Sequence, residues 1–169
     1  MNEVPNQHRR EAPQSVGCAV ITISDTRTIE TDTGGRTAVE LLSEAGHRVL
    51  AREIIPDDPG PMRKLLTALR DRDDIDAVLL TGGTGLGSRD RTVETVDALL
   101  DKRLPGYGEL FRMLSFEAIG PAAMLSRATG GVLGRTVVLT MPGSPAAVRL
   151  ALEKLILPEL GHLIREARR

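Results

Sequence analysis

Aromatic residues are scarce in this chain, at 2% of 169 residues. That scarcity removes the stacking platforms on which single-stranded nucleic acids are held. An excess of one charge is lacking too: 22 Lys and Arg stand against 23 Asp and Glu, a formal net charge of -1. So balanced a chain has no overall basic field to hold it on nucleic acid or an anionic membrane, and neither is expected as a partner. The single cysteine, Cys18, excludes an internal disulfide. In the apolar stretch VGCAVITIS it reads as a small buried hydrophobe, because no helix N-terminus or basic group stands beside it to lower its pKa. No run approaches the roughly eighteen apolar residues of a membrane span. The opening MNEVPNQHRREAPQS has no apolar centre of the signal-peptide kind, so a soluble, cytoplasmic protein is expected. Residues 1–15 read as a polar, disordered arm and residues 16–169 as a single domain of a size that suits one compact core.

What is present is an alternation of short apolar runs with helical patterns. GCAVITIS (17–24) reads as a strand, and TGGRTAVELLSEAG (33–46) as a helix with Ala38, Leu41, Leu42 and Ala45 on one side and Gly46 as its C-cap. HRVLAREII (47–55) is a second strand, and PGPMRKLLTALRDR (59–72) a helix with prolines in its first turn. DAVLLT (76–81) is a third strand, apolar at its centre as a parallel strand covered on both faces should be. TVETVDALLDKRL (92–104) and PGYGELFRMLSFEAIG (105–120) read as helices, PAAMLSRATGGVLG (121–134) is too glycine-rich to assign, and RTVVLTM (135–141) is a buried strand. From Ser144 to Ala167 a helix is expected, interrupted or kinked at Pro158. Repeated strand and helix units predict an α/β fold, a three-layer α/β/α arrangement around an open, mostly parallel sheet.

In such a sheet ligands sit beyond the carboxyl ends of the strands. The segments there are Ser24-Asp25-Thr26, Pro56-Asp57-Asp58, TGGTGLGSRD (81–90) and Met141-Pro142-Gly143-Ser144-Pro145. Any one of them could be an ordinary turn, since Gly, Pro, Asp and Ser dominate turns for conformational reasons. Four in register point to a site. The glycine loop is not a P-loop, for the chain has no Gly-Lys dipeptide. Nor is it a dinucleotide fingerprint, since Ser88 stands where a third glycine is needed and the loop follows the third strand. Its backbone N–H groups can still form a nest for an anion. Asp90 beside a phosphate requires a bridging cation such as Mg2+, or else it serves as N-cap of the helix from Arg91 onward.

LLTGGTGLGSRD resembles the signature of the MoaB/MogA family of molybdenum-cofactor biosynthesis proteins, and ITISDT, IIPDD, PGYGELFR, MLSRA and MPGSP follow the family order over roughly residues 17 to 160. SFEAIGPAAMLSRATGG and the segment from MPGSP to GHL are closer to the MoaB side. The resemblance implies a three-layer α/β fold and a homotrimer or homohexamer. It also implies transfer of the adenylyl group of ATP to the terminal phosphate of molybdopterin, releasing pyrophosphate, with hand-over of the product to a molybdenum-insertion protein. On that resemblance Asp57 and Asp90 are the catalytic residues, organising Mg2+ on the ATP phosphates. Gly82, Gly83, Thr84, Gly85, Ser88 and Arg89 would line the nucleotide side, Ser126 and Arg127 the pterin region, and Ser24, Asp25, Pro142, Gly143 and Ser144 would add ligand contacts.

The chain departs from the family's Asp-Val-Thr-Pro-Glu, having Asp90-Arg91-Thr92-Val93-Glu94. The change removes a first-turn proline and adds a positive charge near the phosphate site. Some members on the MoaB side lack the transferase activity, so a non-catalytic pterin-binding or assembly protein of the same fold is the second reading; a generic phosphate-binding α/β domain is a weaker third. His8, His47 and His162 read as surface or packing residues. The apolar stripe Leu110, Phe111, Leu114, Ala118 and Ile119 could face a subunit or its own sheet.

Overall fold

The structure is a computed structural model, and residues 12–169 are described. Its strands are those whose apolar runs can be covered on both faces. β1 (Gly17–Ile23), β3 (Ala77–Thr81) and β6 (Thr136–Met141) are buried along their whole length. With β2 (Arg48–Ile55), β4 (Lys102–Arg103) and β5 (Gly130–Leu133) they form a six-stranded sheet in the order β2-β1-β3-β6-β5-β4. β1 pairs in parallel with β2 and β3, and β3 with β6, whereas β5 runs antiparallel to both β6 and β4.

Alternate side chains feed two apolar layers. Cys18, Val20, Leu79 and Leu139 pack beneath α1 (Thr33–Glu44), α4 (Pro105–Ile119), α5 (Pro145–Ala151) and α6 (Leu157–Ala167). Ala19, Ile21, Leu80 and Val138 pack beneath α2 (Pro59–Arg70) and α3 (Thr92–Leu99). The result is the expected three-layer α/β/α fold around an open, mostly parallel sheet. Burial, with the Asp76 carboxylate nearby, pushes the Cys18 thiol up to about 12, which keeps it protonated and inert. Among the described residues no helix is long and apolar enough to cross a membrane.

One local expectation gives way to tertiary structure, and two other segments are made definite by it. The helix expected over 92–104 stops at Leu99, because Leu100 turns extended and Lys102 and Arg103 pair with Val132 and Gly131 as a charged sheet edge. The glycine-rich stretch left unassigned contains β5, where a side chain at Gly131 would strike the Lys102 carbonyl; glycine there permits strand pairing. The terminal helix breaks into a π turn at Leu152–Ile156, upstream of Pro158, which has no N–H to continue the regular ladder. The stripe on α4 divides: Tyr107 and Phe111 face the core, while Leu110, Met113, Phe116 and Ile119 are exposed together with Met124 and Leu125. Of the arm, residues 1–11, His8 included, lie outside the described residues; the Ser15 hydroxyl donates to the Gly46 carbonyl (2.8 Å).

Helix caps set the rim on which ligands would bind. The Gly35 N–H donates to Asp32 Oδ1 (2.9 Å), Thr22 donates to Asp32 Oδ2 (2.9 Å), and the Arg52 guanidinium reaches the same oxygen (3.1 Å). Asp32 is fully buried, so removing its carboxylate takes the ion-pair partner from Arg52, which keeps only the Asp32 carbonyl (3.4 Å), and the side-chain cap from the first turn of α1. Asp32→Ala is expected to lower unfolding free energy by about 3 kcal/mol, measured by chemical denaturation, and Asp32→Asn by less.

Candidate active site at the sheet edge

The strand order places a topological switch between β1 and β3: the chain leaves β1 toward β2 and leaves β3 toward the other half of the sheet. Loops diverging there open a crevice beyond the strand ends. Asp25 follows β1, Asp57 follows β2 and the glycine loop follows β3. In the Pro56-Asp57-Asp58 turn the two carboxylates divide their work. Asp58 caps α2 by accepting the Gly60 N–H (2.8 Å), with Pro59 preset for the first helical turn, and this leaves Asp57 to face the glycine loop.

Asp57 is 6% exposed. Its N–H donates to Asp25 Oδ1 (3.2 Å), and its own Oδ1 accepts the Arg91 N–H (2.9 Å). Its other oxygen lies against Gly83, where a side chain would collide with it and with the Thr92 hydroxyl; Gly83 also holds φ +63. Burial raises the Asp57 pKa above the usual carboxylate value, the Arg91 N–H opposes that, and the charges of Asp90 and Asp25 raise it further. Asp90 does not cap α3, as one sequence reading allowed. The Thr92 N–H goes to the Gly83 carbonyl (3.1 Å) and that of Arg91 to Asp57, while Asp90 Oδ2 turns back to accept the Gly87 N–H (2.8 Å).

The other expected site residues fall into four groups. Gly82 and Gly83, both at positive φ, turn the chain directly after β3; the Gly82 N–H donates to the Met141 carbonyl (3.0 Å) and Thr81 Oγ1 to the Pro142 carbonyl (3.2 Å). Gly143 packs against Gly82 and Gly34 at the same corner. Ser24 and Ser144 face local tasks: Ser24 Oγ accepts the N–H groups of Thr26 (3.2 Å) and Arg27 (3.1 Å), and Ser144 Oγ caps α5 by accepting that of Ala147 (3.2 Å). At the loop tip, beside exposed Ser88, Arg89 grips Asp25 with two nitrogens at 2.9 and 3.1 Å, and this pairing lowers the Asp25 pKa.

Arg127 lies behind the loop. Nε donates to the Thr84 carbonyl (3.0 Å), Nη2 to the carbonyls of Gly85 and Asp90, and Nη1 to Glu94. Beyond it, at the head of α4, a cavity of about 410 Å³ is lined by Arg103, Gly108, Arg112, Met124 and Ser126 among others. The Ser126 hydroxyl oxygen is buried there without a partner, and the first turn of α4 has no side-chain cap. Ser126 is thus separated from the aspartates by the Arg127 clamp.

A profile described as "Probable molybdopterin binding domain" matches residues 19–162. Molybdenum cofactor biosynthesis protein B of Bacillus cereus is 55% identical over 164 residues, 96% of this chain and 97% of that one. This chain belongs to the MoaB family of molybdenum cofactor biosynthesis proteins. A crystal structure of a molybdenum cofactor biosynthesis protein B superposes with a TM-score of 0.90 at 56% identity, covering 94% of this chain and 99% of the other. The molybdopterin biosynthesis enzyme MoaB of Thermus thermophilus gives 0.81 at 38% identity, over 90% and 96% of the two chains.

In this MoaB-family chain several site neighbours escaped sequence reading. Glu94 stands at the glutamate of the family segment, but nothing local marks it as the partner of Arg127, 33 positions away. Arg112 ends the PGYGELFR motif and reaches the Ala128 carbonyl (3.4 Å) as well as the cavity, so the motif did hold its signal. Thr92 Oγ1 is buried without a partner behind Gly83, at a position whose sequence pattern marks only a helix.

The raised pKa means that folding disfavours ionised Asp57. The cost is absent below the unfolded value of 3.8, grows as pH rises through the higher folded value, and is complete above it. Asp57→Asn can still accept the Arg91 N–H. It is expected to melt at a higher temperature than the wild type near neutral pH, with the gain lost as pH falls below the ordinary carboxylate range; equal melting at neutral pH would show that Asp57 is not so perturbed.

Proposed function

We propose that this chain is a molybdopterin adenylyltransferase, a nucleotidyltransferase that uses Mg2+-ATP. The observation that carries the reading is that Asp57 Oδ2 lies against Gly83 and Asp90 Oδ2 against Gly85 and Gly87, which puts both carboxylates on one loop of small residues at the switch point of the sheet. Two carboxylates so placed suit a cation that also binds phosphates, one whose remaining ligands arrive with its nucleotide. Bound there, Mg2+ would neutralise phosphate charge and align the leaving group.

The protein's own part is positioning. Gly82, Gly83, Thr84 and Gly85 would bring backbone close to the nucleotide, and Asp57 and Asp90 would hold its cation. The cavity beyond Arg127, with the Ser126 hydroxyl, Arg103 and Arg112, offers an anionic pterin hydrogen-bonding and charged groups. A terminal phosphate oxygen of molybdopterin attacks the α-phosphorus of ATP. The bond from that phosphorus to the bridging oxygen breaks, and pyrophosphate leaves with the electron pair. Since the substrate supplies the nucleophile, no side chain forms a covalent intermediate. Asp57→Asn and Asp90→Asn are each expected to lower formation of adenylylated pterin by about a hundredfold or more in a purified turnover assay. Wild-type rates in both variants would remove the aspartates from the mechanism.

A second reading, a pterin-binding or assembly protein without catalysis, draws on a different observation. The loop-side cations Arg89 and Arg127 are both engaged by protein groups, and neither is held out toward a triphosphate. Calorimetry separates the two: molybdopterin binding without Mg2+-ATP binding supports the second.

The adenylyltransferase reading carries a cytoplasmic location, where ATP is supplied, and hand-over of the product to a molybdenum-insertion protein. It also carries a homotrimer or homohexamer joined through the apolar face of Met113, Phe116 and Met124. Light scattering is expected to give three or six times 18.2 kDa, and Phe116→Glu to reduce that mass; a wild-type monomer would refute the assembly.

A further inference from the structure

The sequence places Arg127 among the ligand-binding residues, yet four of its five N–H donors go to protein groups. Its side chain is 24% exposed, and its positive charge is met by Glu94. An anion would have to compete with that carboxylate for the same guanidinium. What Arg127 does touch is a row of carbonyls, those of Thr84, Gly85 and Asp90.

In a trans peptide the C=O of one residue and the N–H of the next point in opposite directions. A carbonyl drawn back toward Arg127 therefore turns the following N–H forward, away from the clamp. The Asp90–Arg91 peptide displays this directly: the Asp90 carbonyl accepts from Arg127, and the Arg91 N–H on the other side donates to Asp57 Oδ1 at 2.9 Å. The same rule applied to Thr84 and Gly85 aims the Gly85 and Leu86 N–H groups to the side opposite the guanidinium. Among the described residues neither N–H has an acceptor. The loop could not hold this arrangement alone, since glycine-rich backbone has many alternatives to lose. The segment carrying the clamp is itself anchored: the Thr129 N–H donates to Thr140 Oγ1 (3.0 Å) on β6, and Thr129 Oγ1 to Asp97 (2.8 Å) on α3.

We infer that Arg127 is a positioning residue, which presents the Gly85 and Leu86 N–H groups to an anionic phosphate by holding the opposite carbonyls, and is not itself a ligand of that phosphate. The inference rests on the nucleotide reading for the identity of the phosphate but not for the geometry. Lysine keeps the charge and loses the planar fork that spans several carbonyls, so Arg127→Lys separates the two.

The test is amide NMR of the full chain, labelled on glycine and leucine, titrated with Mg2+-ATP and, separately, with inorganic pyrophosphate. Wild-type protein is expected to show shifts at Gly85 and Leu86; Arg127→Lys and Arg127→Gln are expected to lose them and to bind about tenfold more weakly or worse. Glu94→Gln gives a control that does not depend on how well the Arg127 variants fold. If Arg127 only positions the loop, freeing it from Glu94 leaves affinity within about twofold; if it is a ligand, binding tightens. Retained shifts and affinity in Arg127→Lys, or tighter binding by Glu94→Gln, would overturn the inference. Wild-type Mg2+-ATP binding without shifts at Gly85 and Leu86 would overturn it and leave the nucleotide reading standing. Pyrophosphate shifts at both amides that Arg127→Lys loses, with no Mg2+-ATP binding, would uphold it and end that reading; no response to either ligand would overturn both.

Discussion

Parallel pairing of β1 with β2 and β3, and of β3 with β6, sends four strand ends to the same edge of the sheet, and the rest of the site depends on it. Parallel strands must be joined by crossovers, so each strand end begins a loop that leads into a helix. The divergence between β1 and β3 prevents those loops from closing over one another. Asp25, Asp57 and the glycine loop meet there because their strands are neighbours, although the chain between them forms two helices on opposite faces.

Charge is arranged at this edge so that most of it is answered within the protein. Arg89 answers Asp25, and Glu94 answers Arg127. The Arg89–Asp25 pair is exposed, with side chains 66% and 39% accessible, and such pairs contribute little to stability and exchange partners readily. Asp57 is different. It is buried, close to two other carboxylates and supported by backbone N–H rather than by a cation, which makes its ionisation costly. Structures tolerate such costs where function requires them. Behind the loop, Arg127 acts on carbonyls, so the chemistry of the front surface is set partly from the back.

Much of the fold was legible in sequence because the relevant signals are local. Continuous apolar runs marked β1, β3 and β6, and the prolines of its first turn marked the start of α2. The failures were nonlocal. Lys102 and Arg103 continue a helical pattern, and only the nearby Gly131 makes them an edge strand. Asp90 before Arg91 has the spacing of a cap, but its role is displaced by Asp57 from another loop. The exposed side of α4 looked in sequence like one stripe, and only packing shows which apolar residues the core leaves over.

The sequence by itself determined the layers, the helix starts, the glycine turns and the kinds of residue that stand at the strand ends, since each follows from periodicity, steric freedom or a side chain bonding to backbone a few positions away. Tertiary structure alone decided which strand ends are neighbours, and with them the meetings of Asp25 with Arg89, Asp57 with Arg91 and Arg127 with Glu94. Those contacts join residues more than thirty positions apart, and strand order is set by the packing of all the layers at once, which no local pattern records.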